Sequence, residues 1–285
     1  MLSWLGILLA FGALVGWGFG DFLIQRTARA VGTWQALLFL SAMGTVVLLP
    51  AALPSAAVAA TASQWRPLAL SALVACLSAP INFAALRRGK ISVVSPIIAL
   101  ELPLTVALSI AVGREQISPM QVALILATFT GIMLTSAHST KRLERGAALA
   151  FISAFGLGAS NFLIGKNSQD LSPALALWVA YAALTVEAMV ALALQRKLAA
   201  IFGQLRSHWR LISAQGAADV TAWTCYAIAT TYIPIAVTIT ISESYVALAV
   251  LLGITVNRET LTTRQRIGAA LATVSVIALS GITGG

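Results

Sequence analysis

The sequence predicts an all-α integral membrane protein of ten transmembrane helices, arranged as two inverted five-helix repeats. Composition, the recurrence of apolar runs of span length, and residue-level similarity between the two halves predict it. The 285 residues are 59% hydrophobic and only 9% charged, with a mean hydropathy of +0.91, which places the chain outside the class of water-solvated domains. A hydrocarbon core about 30 Å thick takes roughly 20 apolar residues per helical crossing, and runs of that length recur between short polar connections.

The first run, near 4–25, continues through Gly20 and lacks the positive leading region of a secretory signal, so it reads as a retained span. The others lie near 33–53, 67–86, 91–112, 118–137, 146–165, 173–194, 210–230, 234–256 and 265–282. Gly12, Gly16 and Gly20 recur every four residues in the first run and would let that helix approach a neighbour closely. Ser71, Ser78 and Asn82 make a polar face in the third, while Pro80, Pro96 and Pro103 are expected to bend or break helices where carbonyls could meet a substrate. In the longest connection, Gln195 to Arg210, Leu198, Ile201, Phe202, Leu205 and Trp209 follow helical spacing among Arg196, Lys197 and Arg206. A short helix on an anionic membrane surface and a solvated loop both fit that pattern.

Four landmarks repeat in the same order. Gly16, Gly18 and Asp21-Phe22-Leu23-Ile24 correspond to Gly156, Gly158 and Asn161-Phe162-Leu163-Ile164. Ser63-Gln64-Trp65-Arg66 corresponds to Ser207-His208-Trp209-Arg210, Glu101 to Glu243, and Arg114-Glu115 with Gln121 to Arg258-Glu259 with Gln265. This divides the chain into repeats at 1–140 and 141–285. Five spans per repeat turn the second upside down relative to the first, an architecture that typically carries a substrate site near the midplane and works by alternating access.

The formal charge is +9, and the 18 Lys and Arg residues lie almost wholly in connections. With no basic stripe interleaved with exposed aromatics, this is membrane topology and not nucleic-acid binding. One side would hold Arg66, Arg114 and Lys166, the other the remaining 15, including Lys141, Arg142, Arg145 and Arg258. The positive-inside rule then places both termini outside. Cys76 and Cys225 each sit within an apolar run, giving neither a disulfide framework nor a metal site.

Trp17-Gly18-Phe19-Gly20-Asp21-Phe22, the stretch Ala85-Leu86-Arg87-Arg88-Gly89-Lys90-Ile91-Ser92-Val93-Val94-Ser95-Pro96, Leu102-Pro103 and Gly113-Arg114-Glu115 resemble the EamA family of the drug/metabolite transporter superfamily. The resemblance covers nearly the whole chain. The second half keeps Glu243 and Arg258-Glu259 but has no proline after Glu243, and Asn257 stands where Gly113 does. The resemblance implies ten spans in two inverted repeats and a carrier, commonly an exporter, of amino acids, other metabolites or drugs in the bacterial inner membrane. Members are usually drawn with both termini inside, opposite to the charge count of this chain.

Five of the nine acidic residues, Asp21, Glu101, Glu187, Asp219 and Glu243, fall within predicted spans. A carboxylate at that depth is costly unless paired, protonated or facing water. Binding a cationic group, exchanging a proton and holding helices together are the competing uses. Glu101 and Glu243 are repeat-related and could face each other across a central cavity, or each cap a neighbouring helix end. Asp219 shares a helical face with Gln215, Trp223, Tyr226 and Thr230, a pattern that suits a small-molecule pocket or an interhelical seam. Trp17 and Asp21 share a face of the first span, with Asn161 the neutral counterpart of Asp21; Asp21 facing a cavity and Asp21 beside Arg26 among headgroups are both open. Asn82 is a further candidate for the cavity. Trp178 and Tyr181 could line it or face lipid. Glu187, opposite Val47 in the other repeat, has no assigned role.

The expected function is therefore secondary transport of a small amine-bearing metabolite, with the candidate substrate-binding residues Trp17, Asp21, Asn82, Glu101, Asn161, Asp219, Trp223, Tyr226 and Glu243. Protons are a candidate partner besides substrate and lipid; monomer and dimer are both open, and no cofactor is implied. A lipid translocator is one alternative. The strings Gly18-Phe19-Gly20-Asp21 and Pro173-Ala174-Leu175 suggest another, an intramembrane aspartyl protease. That chemistry needs a second aspartate on the preceding helix, and nothing precedes the first span. Metal-hydrolase, serine-hydrolase and nucleotide-binding motifs are absent, and the two histidines, His138 and His208, lie in connections.

Overall fold

The structure is a computed structural model and describes residues 2–58, 62–136, 146–245 and 262–284. Its helices are α1 (Leu2–Val31), α2 (Thr33–Val58), α3 (Ala62–Arg88), α4 (Ile91–Ile98), α5 (Glu101–Ala111), α6 (Pro119–Ser136), α7 (Ala147–Asp170), α8 (Pro173–Leu194), α9 (Ile201–Ala229), α10 (Ile235–Glu243) and α11 (Thr263–Gly284). Helix occupies part of every predicted span. Seven stretches among the described residues are long and apolar enough to cross a membrane, and Pro119–Thr135 is a shorter apolar helix. The remaining two are α9, which carries Arg206, His208 and Arg210 in its first half, and α10, whose predicted span runs beyond the described residues after Tyr245. The described structure thus shows fewer crossings than the ten expected. Lys141, Arg142, Arg145, His138, Asn257, Arg258 and Glu259 lie outside the described residues.

Three sequence expectations change in detail. The fourth span is broken: Pro103 has no N–H for the Ala99 carbonyl, which instead accepts from Leu102 N at 3.2 Å, and Leu100 N turns to Ile97 O. The helix therefore stops at Ile98 and restarts at Glu101. Pro80 lies inside an unbroken α3. The connection after α8 is helical from Ile201, joined to the following span through non-helical backbone at His208 (φ −124°, ψ 21°), and Phe202 and Trp209 project outward, 82% and 56% exposed.

Packing is symmetric under exchange of the halves. α1 lies on α9 as α7 lies on α3, α1 meets α10 as α7 meets α5, and α2–α8, α5–α10 and α6–α11 pair across the two halves. The close approaches are written in glycine. A Cβ at Gly16 would sit 2.6 Å from the Cβ of Ala222 and 3.0 Å from the Ala218 carbonyl of α9, and a side chain at the repeat-related Gly156 would run into Ser78 of α3. Gly12 also meets α9 at Cys225, whereas Gly20 faces open space and takes no part in that contact.

A polar tie joins the halves as well. Both carboxylate oxygens of Glu115 accept backbone N–H groups at the start of α10, Ile235 N at 2.6 Å and Ala236 N at 3.1 Å. Pro234, at the N-cap of α10, provides no side-chain cap, so a residue of the first half satisfies orphan donors of the second. Glu115→Ala is expected to lower stability by about 1.5–3 kcal/mol, read as a fall in the melting temperature of detergent-purified protein. Glu115→Gln, which retains a carbonyl acceptor, should fall between the two; equal melting of wild type and the alanine variant would refute the tie.

Candidate functional site

The broken fourth span delivers Glu101 to the head of α5, and α10 ends on Glu243. Together with Asp21 of α1 and Asp219 of α9 they line one central cavity of about 110 Å³, and among the described residues no Lys, Arg or His lines it. That volume is below the roughly 300–1,000 Å³ of drug-sized sites, so it suits a small occupant. α6 and α11 contribute nothing to the wall; they brace the bundle from outside.

Each carboxyl group is held differently. Asp21 Oδ2 accepts from Ser95 Oγ at 2.8 Å and from Tyr245 Oη at 3.0 Å. It therefore faces the cavity, while Arg26 turns away to lie 5.4 Å from the Phe22 ring centroid. Asp219 Oδ2 accepts from Tyr181 Oη at 2.7 Å. Gly44 on α2 makes that bond possible: a Cβ there would be 2.6 Å from the Tyr181 ring, so only glycine lets the ring lie against α2. The Glu101 and Glu243 carboxyl groups lie beside each other on the cavity wall, with the Asn161 side chain next to Glu101. Two neighbouring buried carboxyl groups resist ionising together, so such a pair can hold one proton between them.

The aromatic wall comes from two helices. The Trp17 and Trp223 rings meet edge to face, with centroids 5.2 Å apart and planes at 79°. Eight of the nine candidate residues, Trp17, Asp21, Asn82, Glu101, Asn161, Asp219, Trp223 and Glu243, line this single cavity. Tyr226 does not. It is fully buried behind the wall, and its hydroxyl, which burial obliges to find a partner, donates to the Asn161 carbonyl at 3.0 Å. It positions Trp17 and Trp223, whose centroids lie 5.4 and 5.8 Å away.

The rest of that helical face is seam: Gln215 Nε2 donates to Ala36 O at 3.3 Å and Thr230 bonds within its own helix. Tyr181 lines the cavity and Trp178 does not. The polar face of α3 divides, with Ser78 and Asn82 on the cavity and Ser71 accepting from Asn167 of α7. Glu187 is outside the cavity, half-buried beside Cys76 of α3.

Sequence reasoning missed Ser95, Tyr245 and Ser160. The first stands in the quoted Ser95-Pro96 motif and the second two residues after Glu243, so their positions were visible but their direction was not. Two acceptors remain without partners at the site: Asn82 Oδ1 and Glu243 Oε2 are buried and unpaired. An unpaired buried acceptor carries its full desolvation cost, so the wall is complementary to a donor-rich guest. The two aspartates each take hydroxyl donors and are not bonded to one another, which does not favour the paired-aspartate arrangement of a protease.

Comparison with known proteins adds the following. The profile of the EamA-like transporter family matches the chain twice, over residues 4–137 and 144–281. No curated protein matches. A solved structure titled "Crystal structure of protein" superposes with a TM-score of 0.74 at 15% identity, covering 97% of this chain and 96% of that one, and shows the fold alone.

Proposed function

Because the chain belongs to the EamA-like transporter family and is therefore a multi-pass membrane transporter, not an enzyme by kinship, we propose that it exports a small amine-bearing metabolite across the bacterial inner membrane. Transport is by alternating access between inverted halves, with proton exchange at the Glu101–Glu243 pair and both termini outside. The observation that carries this reading is the cavity wall: among the described residues, four carboxyl groups, no basic side chain and two edge-to-face tryptophans. An ammonium group complements both parts, through charge-assisted hydrogen bonds to carboxylate and through attraction to indole faces. Interrupted helices bearing the carboxyl groups at the repeat interface support a carrier mechanism. Proton coupling is supported by the neighbouring Glu101 and Glu243, a pair that can hold a proton for an arriving ammonium to displace.

The test is reconstitution into liposomes with a panel of amino acids, aromatic amines and quaternary cations. Guests are screened first by the rise in melting temperature, since a ligand bound only by the folded state stabilises it, and then by flux under an imposed pH gradient. Amines are expected to stabilise and to move, with flux stopping when the gradient is collapsed. Stabilisation by organic anions, with amines inert, would overturn the substrate class; amine flux indifferent to the gradient would remove the protons.

A further inference from the structure

We propose that the cationic cleft where α1, α2, α3, α7 and α8 end or begin is a phosphate-binding site, filled from the bilayer by the headgroup of an anionic lipid. The cleft is separate from the central cavity, has a volume of about 570 Å³, and among the described residues every charged side chain in its wall is a cation: Arg29, Arg87, Arg88 and Lys197. These come from three distant parts of the sequence, the end of α1, the end of α3 and the connection after α8. Folding therefore concentrates four positive charges at one point.

The framework around them is built. Arg29 is fixed as part of the wall, its Nε donating to Arg87 O at 3.1 Å and its Nη2 to Gly89 O at 2.6 Å. Gly32 (φ +109°) turns α1 into α2 in a single residue, so the first turn of a 26-residue helix opens at the cleft. The free N–H groups and positive dipole end there favour an anion. Gln35, 6% exposed, also lines the cleft, with its side-chain carbonyl folded back over Gly32.

Two features indicate a lipid in preference to free phosphate. The cleft lies at helix ends, the depth at which headgroups sit, where basic pockets between spans recruit anionic lipid. Its volume falls within the roughly 300–1,000 Å³ of organic-ligand sites, more than a bare phosphate fills, and Pro80, Ile81 and Leu149 supply an apolar wall for the carbon skeleton behind the phosphate.

The test uses purified protein in neutral detergent, native mass spectrometry and titration with phosphatidylglycerol, phosphatidylcholine or inorganic phosphate. Wild type should retain one phosphatidylglycerol per chain in preference to phosphatidylcholine. Arg88→Ala with Lys197→Ala should weaken retention roughly 30-fold, from about tenfold or less per cation at a membrane surface, and the charge-reversed Arg88→Glu with Lys197→Glu should abolish it. Arg29 is left intact because it holds backbone, and lipid-free melting temperatures should match wild type. Equal retention by wild type and both variants would overturn the site. Stabilisation by inorganic phosphate that is lost in the variants, with phosphatidylglycerol no better than phosphatidylcholine, would overturn the lipid source and leave a soluble anion as the occupant. No outcome depends on transport, so the cleft and the central cavity stand or fall separately.

Discussion

Glu243→Gln is expected to abolish flux while leaving a folded protein in the membrane. The amide is isosteric with the acid and can donate to Glu101, so the contact at the end of α10 survives and the melting temperature should change little. What it removes is the negative charge available to an ammonium and the site's capacity to hand a proton between two carboxyl groups. Loss of one member of a buried, hydrogen-bonded charge pair corresponds to a fall of roughly a hundredfold in guest affinity. Glu101→Gln combined with Glu243→Gln should be no worse than the single change, because residues sharing one proton act as a unit. Asp219→Asn should also abolish exchange, because the amide can still accept from Tyr181 but no longer offers the guest a negative charge. Wild-type flux in Glu243→Gln would remove the carboxyl pair from the mechanism.

Trp223→Ala should produce the second-largest effect, and a different one. A cation over an indole gains about 0.5–2 kcal/mol, so affinity for a quaternary ammonium should fall roughly 3- to 30-fold while the neutral isostere, which never gained that attraction, falls less. Trp223→Phe keeps a π face against Trp17 and should recover most of the difference. The readout is the ratio of the two apparent affinities. A ratio unchanged in the alanine variant would mean that the tryptophans serve packing alone.

Much of this site was legible before any coordinates. A carboxylate in an apolar run is conspicuous because its cost demands a use, and repeat alignment paired Glu101 with Glu243 across 142 positions of chain. Helical periodicity put Asp219 and Trp223 on one face. The same periodicity included Tyr226, because a face of a helix is wider than the strip that reaches a cavity, and a tyrosine hydroxyl can serve a neighbouring backbone as well as a guest. Ser95 and Tyr245 were illegible for a related reason: Ser95 stands on the short α4 that stops before Ala99, Tyr245 just after the end of α10 at Glu243, and neither helix end follows from hydropathy. The cationic cleft was invisible in sequence, since Arg29, Arg88 and Lys197 are unremarkable loop-end charges until three helix ends converge.

The bond from Glu115 to the start of α10 limits how this molecule can move. α5 begins at Glu101, and Glu115 follows four residues after its end; α10 begins at Ile235 and finishes at Glu243. The two helices are thus clasped at one end by Glu115 on Ile235 and Ala236 and at the other by the paired Glu101 and Glu243. In the proposed alternating-access cycle a ladder with both rungs intact would not splay, so opening toward either face would occur among α1–α3 and α7–α9 with this ladder as the fulcrum. Of its two rungs, the one at Glu115 lies away from the cavity and can stay closed throughout the cycle. In that cycle the carboxyl rung would be the latch, since it is the one that lines the cavity and that a guest would reach.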